Sequence, residues 1–222
     1  MITASERRSL LDFLRDLRSH NDRVWFEAHR ARYEEARASF MRLLGELIES
    51  LRAVDELGGA PPKDCAFRIN RDVRFGLDKS PYKSTMSALI GPLGRKSGVR
   101  SYYFHLEPDG ASMLAGGLHS PSPAQLGALR EAFARDSAPL KRVAAASKFK
   151  TYFGEITGDS LKTAPQGYST DHRDIELLRL KTCLAIHPMS DDFVCNGDLV
   201  GHAVEVFKAM KPFLLYLEKV AG

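Results

Sequence analysis

The sequence contains no long hydrophobic run. Within its 222 residues, no stretch reaches the roughly 18 apolar residues that a membrane-spanning helix needs. The first residues also lack the apolar core of a secretory signal peptide. We therefore predict a cytoplasmic protein that has no membrane partner.

Cysteine is scarce. The chain has three cysteines, Cys65, Cys183 and Cys195, and no two of them form a Cys-x-x-Cys pair. This spacing argues against a disulfide framework and against a zinc ribbon. We expect buried, inert thiols rather than a reactive cysteine.

Several well-known catalytic motifs are missing. The sequence has no GxxxxGK[ST], GxGxxG, HExxH or GxSxG pattern, so P-loop, dinucleotide-binding, zincin and α/β-hydrolase interpretations are set aside. The tripeptide His172-Arg-Asp174 resembles part of a kinase loop, but no glycine-rich loop or DFG motif accompanies it. No cofactor and no metal are predicted.

Positive charge is modest overall but unevenly distributed. The formal net charge is +4, yet the segment from Pro61 to His105 holds nine basic and three acidic side chains. Basic residues concentrated in one central block predict an anionic partner.

The first sixty residues read as helical. Thr3 and Glu6 form a capping box in front of a helix that extends to about Arg18. Asn21 is a candidate N-cap for a second helix, and helical spacing of apolar residues then continues to Leu57 with a bend near Gly45. Glycine and proline pairs at 58–62 end this region.

The stretch from Phe67 to Phe75 alternates like a strand. Apolar residues occupy odd positions and polar residues occupy even ones, which is typical of a half-buried strand. Arg71 breaks the phase, so we expect either a bulge there or a new strand that starts at Val73. A loop fixed by Pro81 follows.

Later residues predict a hairpin and further helices. Three strands are expected at 85–90, 101–107 and 111–115, the last two joined by a turn at Pro108-Asp-Gly110. A last strand is expected from Cys183 to His187, closed by Pro188. Predicted helices cover 123–135, 139–148, 171–181, a short segment from Ser190, and 199–220.

These patterns predict an α+β fold. The expected architecture is a single domain over residues 1–222, with a central, mostly antiparallel sheet between N-terminal and C-terminal helices. In sequence terms, residues 1–60 are helical, 64–118 form the sheet, and 122–222 are helical.

Five stretches carry a family resemblance: FRINRDVRFGLDKSPYK at 67–83, NDRVWF at 21–26, LAGGLHSP at 114–121, GDSLKTAPQGY at 158–168 and DIELLRLK at 174–181. Together and in this order, they resemble the bacterial family known as domain of unknown function 2461. The resemblance implies a cytosolic, single-domain protein and supplies no catalytic roles. Gly116-Gly117 lacks a third glycine expected of the family, which argues against a tight phosphate-binding loop there.

The basic residues of the longest stretch are the candidate anion site. Guanidinium groups bind phosphate or carboxylate through two hydrogen bonds, and lysine adds a point charge. The alternative is a polar strand face whose cations pair with Asp72 and Asp78. The candidates are Arg68, Arg71, Arg74, Lys79, Lys83 and, in a later irregular loop, Lys162.

Three residues are candidates for acid–base chemistry. His105 and His119 could exchange protons near neutral pH, and Asp72 could act as a base. For each of them, an ordinary structural role competes with catalysis.

Three functions follow from these residues. The favoured one is an enzyme or sensor for a small phosphorylated or carboxylated molecule. A nucleic-acid-binding module is a second hypothesis, for which Trp25 and Phe26 could stack on bases, although core positions suit them better. The third is a structural or protein-interaction domain with internally paired arginines. The sequence does not determine the oligomeric state.

Overall fold

The fold is known from a computed structural model that describes residues 2–74 and 78–222. The predicted strand end at Phe75 lies outside these residues. Ten α-helices and four strands occur in the described part. Before the sheet come α1 (Ala4–Ser19), α2 (Arg23–Ala28), α3 (Arg30–Arg52) and α4 (Pro62–Cys65).

The sheet is antiparallel and has the order β1-β2-β3-β4. Its strands are β1 (Met86–Ile90), β2 (Tyr102–Leu106), β3 (Ser112–Leu118) and β4 (Cys183–Met189). The remaining helices are α5 (Pro123–Arg135), α6 (Ala138–Ala145), α7 (Ser147–Phe153), α8 (Ile175–Leu178), α9 (Asp191–Asn196) and α10 (Leu199–Ala221). The predicted α+β class is confirmed.

The predicted capping box at Thr3 is present. The Thr3 hydroxyl accepts a hydrogen bond from the Glu6 N–H at 3.2 Å, and the Glu6 carboxylate accepts one from the Thr3 N–H at 2.7 Å. Leucines 10, 11, 14 and 17 and Phe13 form the buried face of α1. Local sequence therefore sets both the start and the inner face of this helix.

The prediction for the second helix was wrong in two respects. Asp22, rather than Asn21, is the N-cap of α2, where its carboxylate accepts from the Trp25 N–H at 2.9 Å. The helix then breaks at His29, whose φ of −113° and ψ of 20° leave the helical region. The His29 ring contributes to this break, because its Nδ1 bonds the Trp25 carbonyl at 2.8 Å. Helix α3 continues through Gly45.

The hairpin turn formed as predicted. Asp109 and Gly110 have φ values of 67° and 75°, the left-handed pair that a two-residue hairpin turn requires. However, β3 continues to Leu118, so Gly116 and Gly117 lie in a strand and not in a loop.

The strand predicted from Phe67 to Phe75 does not form in its described part. Residues 66–71 instead run antiparallel to 81–88 with only two isolated bridges, Ala66 with Ala88 and Asn70 with Tyr82. The Phe67 N–H donates to the Ser87 carbonyl, and the Lys83 N–H donates to the Ile69 carbonyl. Between these two hydrogen bonds, residues 84–86 face Arg68 alone. These extra residues interrupt the ladder, so the irregularity lies opposite Arg68 rather than at Arg71.

The helices after the sheet agree with prediction in part. Helix α5 has the predicted bounds and starts with a capping box between Ser122 and Gln125. The single helix expected at 139–148 is two helices, α6 and α7. The helix expected at 171–181 is limited to the four residues of α8, because the Asp174 side chain turns inward to bond Ser137 and Lys141.

The contacts of the chain define two compact units. The first unit consists of Met1–Lys96, Tyr103–Leu114 and Pro188–Glu205. Its core includes leucines of α1 and α3 and the stacked rings of Phe40 and Phe104, whose centroids are 6.0 Å apart. It holds the whole described part of the basic stretch.

The second unit consists of Ser97–Tyr102, Ala115–His187 and Val206–Gly222. Tyr102 packs on Phe207, with ring centroids 4.7 Å apart, and Phe149 meets Phe213 edge to face. The expectation of a single domain stays a prediction.

No helix in the described ranges combines the length and the apolar character that crossing a membrane requires.

Alanine substitution at two glycines of the second unit should change the stability of the fold in opposite directions. A Cβ at Gly117, where φ is 119°, would overlap the Cys183 carbonyl oxygen, so Gly117→Ala should lower the free energy of unfolding by at least about 2 kcal/mol. A Cβ at Gly127 inside α5 meets no atom within 4 Å, so Gly127→Ala should raise the free energy of unfolding by about 0.5–1 kcal/mol. Urea denaturation measures both changes. Equal effects of the two substitutions would contradict the packing described for β3.

Candidate functional site

The basic stretch is held in place by the junction between α1 and α2. The Asn21 side chain accepts from the Tyr82 N–H at 3.1 Å and donates to the Tyr82 carbonyl at 3.0 Å, as the main chain of a neighbouring strand would. The Phe26 ring stacks on the Tyr82 ring, with centroids 3.9 Å apart. Residue 82 is therefore fixed through both its main chain and its side chain, and this orients Lys83.

Two more arginines bind carbonyl groups near the start of the stretch. Arg37 of α3 donates to the Phe67 carbonyl at 3.2 Å. Arg95 donates to the carbonyls of Lys63 and Ala66. Burial lowers the pKa of Arg37, and the nearby Arg95 lowers it further. These contacts add positive charge beside the basic stretch.

Two arginines of the stretch have internal carboxylate partners. Arg74 donates to both oxygens of Asp72, at 2.9 and 2.7 Å. Arg71 pairs with Asp78 at 2.8 Å. The pKa of Asp72 is lowered mainly by the Arg74 hydrogen bonds, and that of Asp78 mainly by hydrogen bonds from Ser80 with a smaller effect of Arg71. Lys79 donates to the Val73 carbonyl at 2.9 Å.

Lys83 and Arg68 differ from Arg71 and Arg74 in their contacts with carboxylates. In the part of the chain that the structure describes, neither forms an ion pair with a carboxylate. Lys83 is half-buried, and its Nζ lies 5.5 Å from the centre of the Phe67 ring. Burial lowers the Lys83 pKa, and the positive charges of Arg68 and Arg71 lower it further. The charges of Arg68 and Arg71 thus act on Lys83. Two carboxylates offset part of this positive charge: Asp78, which pairs with Arg71, and Asp72, whose pKa Arg68 helps to lower.

Arg71 also has a spare donor. Its Nε is buried and has no hydrogen-bond acceptor among the described residues. A buried donor without an acceptor costs roughly 1–3 kcal/mol.

A chain of hydrogen bonds joins three side chains on one face of β2, where His105 is buried and Tyr103 and Glu107 are half-buried. The Tyr103 hydroxyl lies 2.9 Å from His105 Nδ1, and His105 Nε2 lies 2.8 Å from a Glu107 oxygen. The other Glu107 oxygen accepts from Arg18 at 2.6 Å. Because a carboxylate only accepts, neutral His105 carries its proton on Nε2, and Nδ1 accepts from Tyr103. His105 can therefore receive the Tyr103 proton, and Glu107 can stabilise the imidazolium that forms.

Tyr103 connects this relay to the cations. Burial raises the pKa of Tyr103, a hydrogen bond from Ser87 lowers it, and the Glu107 charge raises it. The Tyr103 ring meets the Phe67 ring edge to face at 6.5 Å, and Lys83 lies over that same Phe67 ring. The cationic cluster of Arg68, Arg71 and Lys83 and the relay of Tyr103, His105 and Glu107 therefore share one aromatic neighbour.

The structure brings together only some of the candidate residues. Arg68, Arg71, Arg74, Lys79, Lys83, Asp72 and His105 all belong to the first unit. His119 and Lys162 belong to the second, where both are exposed. The Lys162 carbonyl accepts from Arg179 at 2.8 Å.

The two aromatic residues considered for base stacking have neighbours on their rings. Trp25 stacks between His20, at 5.5 Å, and His29, at 4.1 Å. Phe26 is buried and stacks on Tyr82. Their positions agree with the structural interpretation.

Sequence reasoning missed Tyr103, Glu107, Arg18 and Arg37 as site residues. Alternation along β2 places Tyr103, His105 and Glu107 on one face, so two of them could have been found from the sequence. Arg18 and Arg37 come from helices distant in sequence, and no sequence signal points to them.

Metal and thiol chemistry find little support. Within residues 2–74 and 78–222, no group of three His, Cys, Asp or Glu side chains could hold a metal ion. All three cysteines are free and buried, as expected. Burial raises the pKa of Cys183 to about 12, which keeps this thiol protonated and unreactive.

A family model described as "Conserved hypothetical protein (DUF2461)" matches residues 9–216. The chain belongs to this family. The resemblance seen in the five sequence stretches is thereby confirmed. No curated protein and no solved structure is significantly similar to the chain. The family description names no activity, so function has to be argued from the site itself.

The relay makes a prediction about Tyr103. Glu107→Gln removes a negative charge that disfavours the phenolate, so the Tyr103 pKa should fall toward its ordinary value. In the unmodified protein, the raised phenol pKa stabilises the fold at pH values below the ordinary tyrosine pKa. This stabilisation is lost as the pH rises through the pKa of Tyr103 in the folded protein. Because that pKa is raised less in the variant, the variant should lose less stability at alkaline pH.

Phenolate absorbance during an alkaline titration measures the first effect, with Tyr103→Phe used to subtract the other tyrosines. Glu49→Gln on α3, which makes the same change in charge at an exposed position, is the control. An unchanged or higher Tyr103 pKa in Glu107→Gln would show that Glu107 does not act on the phenol.

Proposed function

We propose that the first unit binds a small phosphorylated or carboxylated ligand at the cationic cluster. The observation that carries this proposal is the position of half-buried Lys83 over the Phe67 ring, with Arg68 and Arg71 as charged neighbours and, among the described residues, no carboxylate in an ion pair with it. A half-buried cation that lies beside other positive charges is stabilised when an anion binds next to it.

The chemistry of the three cations fits such a ligand. The two guanidinium groups can each donate two hydrogen bonds to neighbouring oxygens, and the ammonium group supplies a point charge. Because a bound anion favours the protonated form of Lys83, affinity should fall as pH rises through the pKa of Lys83 in the free protein.

Action on the ligand would involve the relay. A ligand proton would pass to the Tyr103 oxygen as the Tyr103 proton moves to His105 Nδ1, and Glu107 would stabilise the imidazolium. His105 remains the proposed acid–base residue. For Asp72 and His119, a catalytic role rests on residue type alone, and Asp72 already binds Arg74 with both oxygens.

The structural or protein-interaction alternative has one observation in its favour. Arg71 and Arg74 pair with Asp78 and Asp72, which is how a salt-bridged surface would use them. This alternative does not explain the positions of Lys83 and Arg68. A cytoplasmic location is part of the proposal, and the free thiols of the cysteines agree with a reducing compartment.

A thermal-shift screen tests anion binding. The probes are inorganic phosphate, citrate, nucleotides, sugar phosphates and short oligonucleotides, each at two salt concentrations. A ligand at about a hundred times its Kd stabilises by about 2.7 kcal/mol, which in a chain of this size raises Tm by roughly 5–10 °C. Lys83→Met should lose most of this rise in Tm, because it removes the half-buried cation.

Lys96→Met is the matched control, since Lys96 is an exposed lysine of the same unit and makes the same change in net charge. It should respond to the anion as the unmodified protein does. Equal responses of the two variants, or no response of the unmodified protein to any anion, would refute the site. Stabilisation by oligonucleotides alone, falling steeply with salt, would favour the nucleic-acid hypothesis.

A further inference from the structure

The second unit contains a cleft of about 580 Å³ that is separate from the cationic cluster. Helix α6, residues 154–160 and helix α8 line it. Half-buried Ala144, Ile156 and Leu177 supply apolar surface to the cleft, and the buried side chains of Leu140 and Leu180 lie behind it. Two basic and two acidic side chains also line it, so neither sign of charge dominates: Lys141, Lys150, Glu155 and Glu176.

One wall of the cleft is a main-chain edge. Thr157 exchanges two hydrogen bonds with Leu184 of β4, both of 2.8 Å. Farther along, the Lys181 N–H donates to the Asp159 carbonyl, and the Leu161 N–H donates to the Arg179 carbonyl. Residues 157, 159 and 161 therefore direct their main-chain groups toward 179–184.

The main-chain groups of residues 156, 158 and 160 point in the opposite direction. In an extended chain, the N–H and C=O groups of successive residues point to opposite edges. Ile156, Gly158 and Ser160 line the cleft, as does Thr157. Within the described residues, their main-chain groups form no hydrogen bond. They form a row of donors and acceptors along one side of an apolar cleft.

This edge is built into the fold. Gly158 lies so close to residue 182 that an added Cβ would overlap the Thr182 carbonyl oxygen. The Thr182 hydroxyl accepts from the Asp159 N–H at 2.8 Å, and Arg179 donates to the carbonyls of Leu161 and Lys162 at 2.7 and 2.8 Å. The segment is thus held from its inner side, and its outer side stays available.

The opposite walls are tied together by a buried carboxylate. Asp174, at the start of α8, accepts from the Ser137 hydroxyl at 2.6 Å and from Lys141 of α6. Lys141 is the largest cause of the lowered pKa of Asp174. Because this contact anchors α6 to α8, the cleft has a preformed width.

We propose that this cleft binds an extended peptide segment of a partner protein, which adds a strand along residues 156–160. An unpaired strand edge is a template for another chain, and main-chain hydrogen bonds supply affinity while alternate side chains fill pockets. The apolar walls select small or medium apolar side chains at every second peptide position. The mixed charges at the cleft favour a peptide without strong net charge.

Hydrogen exchange of the free protein tests the premise. The amides of Ile156, Gly158 and Ser160 should exchange much faster than those of Thr157 and Leu161, which are hydrogen-bonded. Equal protection of the two sets would mean that the edge is already paired, and this would overturn the proposal.

Peptide selection tests the binding itself. A displayed library of random hexapeptides is selected on the full chain, and enriched peptides are synthesised with and without N-methyl groups on alternate amides. The unmodified peptides should bind and should slow exchange at Ile156, Gly158 and Ser160 at least tenfold. N-methylation, which blocks main-chain donors but keeps the side chains, should abolish binding.

Two tryptophan variants locate the site. Ala144→Trp on α6 should fill the cleft and remove peptide binding, whereas Ala138→Trp, at the exposed start of the same helix and not among the lining residues, should not. The proposal is overturned if no peptide is enriched, if N-methylated peptides bind equally well, or if binding survives in Ala144→Trp. Because anion binding is measured in the other unit, failure here is distinguishable from failure of the proposed function.

Discussion

The irregular pairing of residues 66–71 with 81–88 is the constraint on which the candidate site depends. Three residues on one side face Arg68 alone on the other, so the ladder cannot be regular. Asn21 supplies the hydrogen bonds that a further strand would have made to Tyr82. As a result, Arg68, Arg71 and Lys83 act on one another with less water around Lys83 than a surface lysine has. The cost of this arrangement is what an anionic ligand would offset.

The hydrogen-bond relay uses a simpler geometry. Residues 103, 105 and 107 share one face of β2 because side chains alternate along a strand. The distances along that face allow Tyr103 to donate to His105 and His105 to donate to Glu107. Arg18, from α1, then fixes Glu107. The regular strand β2 thus aligns the acid–base groups, whereas the irregular pairing of residues 66–71 with 81–88 positions the cations.

Local signals were sufficient where neighbours in sequence decide the structure. The capping box at Thr3 and the turn at Asp109-Gly110 depend on residues within three positions of each other, and both were predicted. The alternation at 67–74 was also right, since Ile69 is buried and its polar neighbours are exposed.

The strand itself did not form, because its hydrogen-bonding partner, not its own composition, sets the register. The helix at 171–181 failed for a similar reason, because buried contacts to Ser137 and Lys141 pull Asp174 inward. Arg18 and Arg37 reach the site from distant helices, which the sequence does not indicate.

The most direct test of the account is the pKa of the Lys83 side chain, measured by NMR of isotopically labelled lysine and assigned with Lys83→Met. In the free protein it should lie below the ordinary value for lysine, because burial, Arg68 and Arg71 all disfavour the charge. Saturating inorganic phosphate, or the best ligand of the thermal-shift screen, should raise it. A Lys83 pKa that is already at or above the ordinary value, or one that no anion changes, would contradict the central claim.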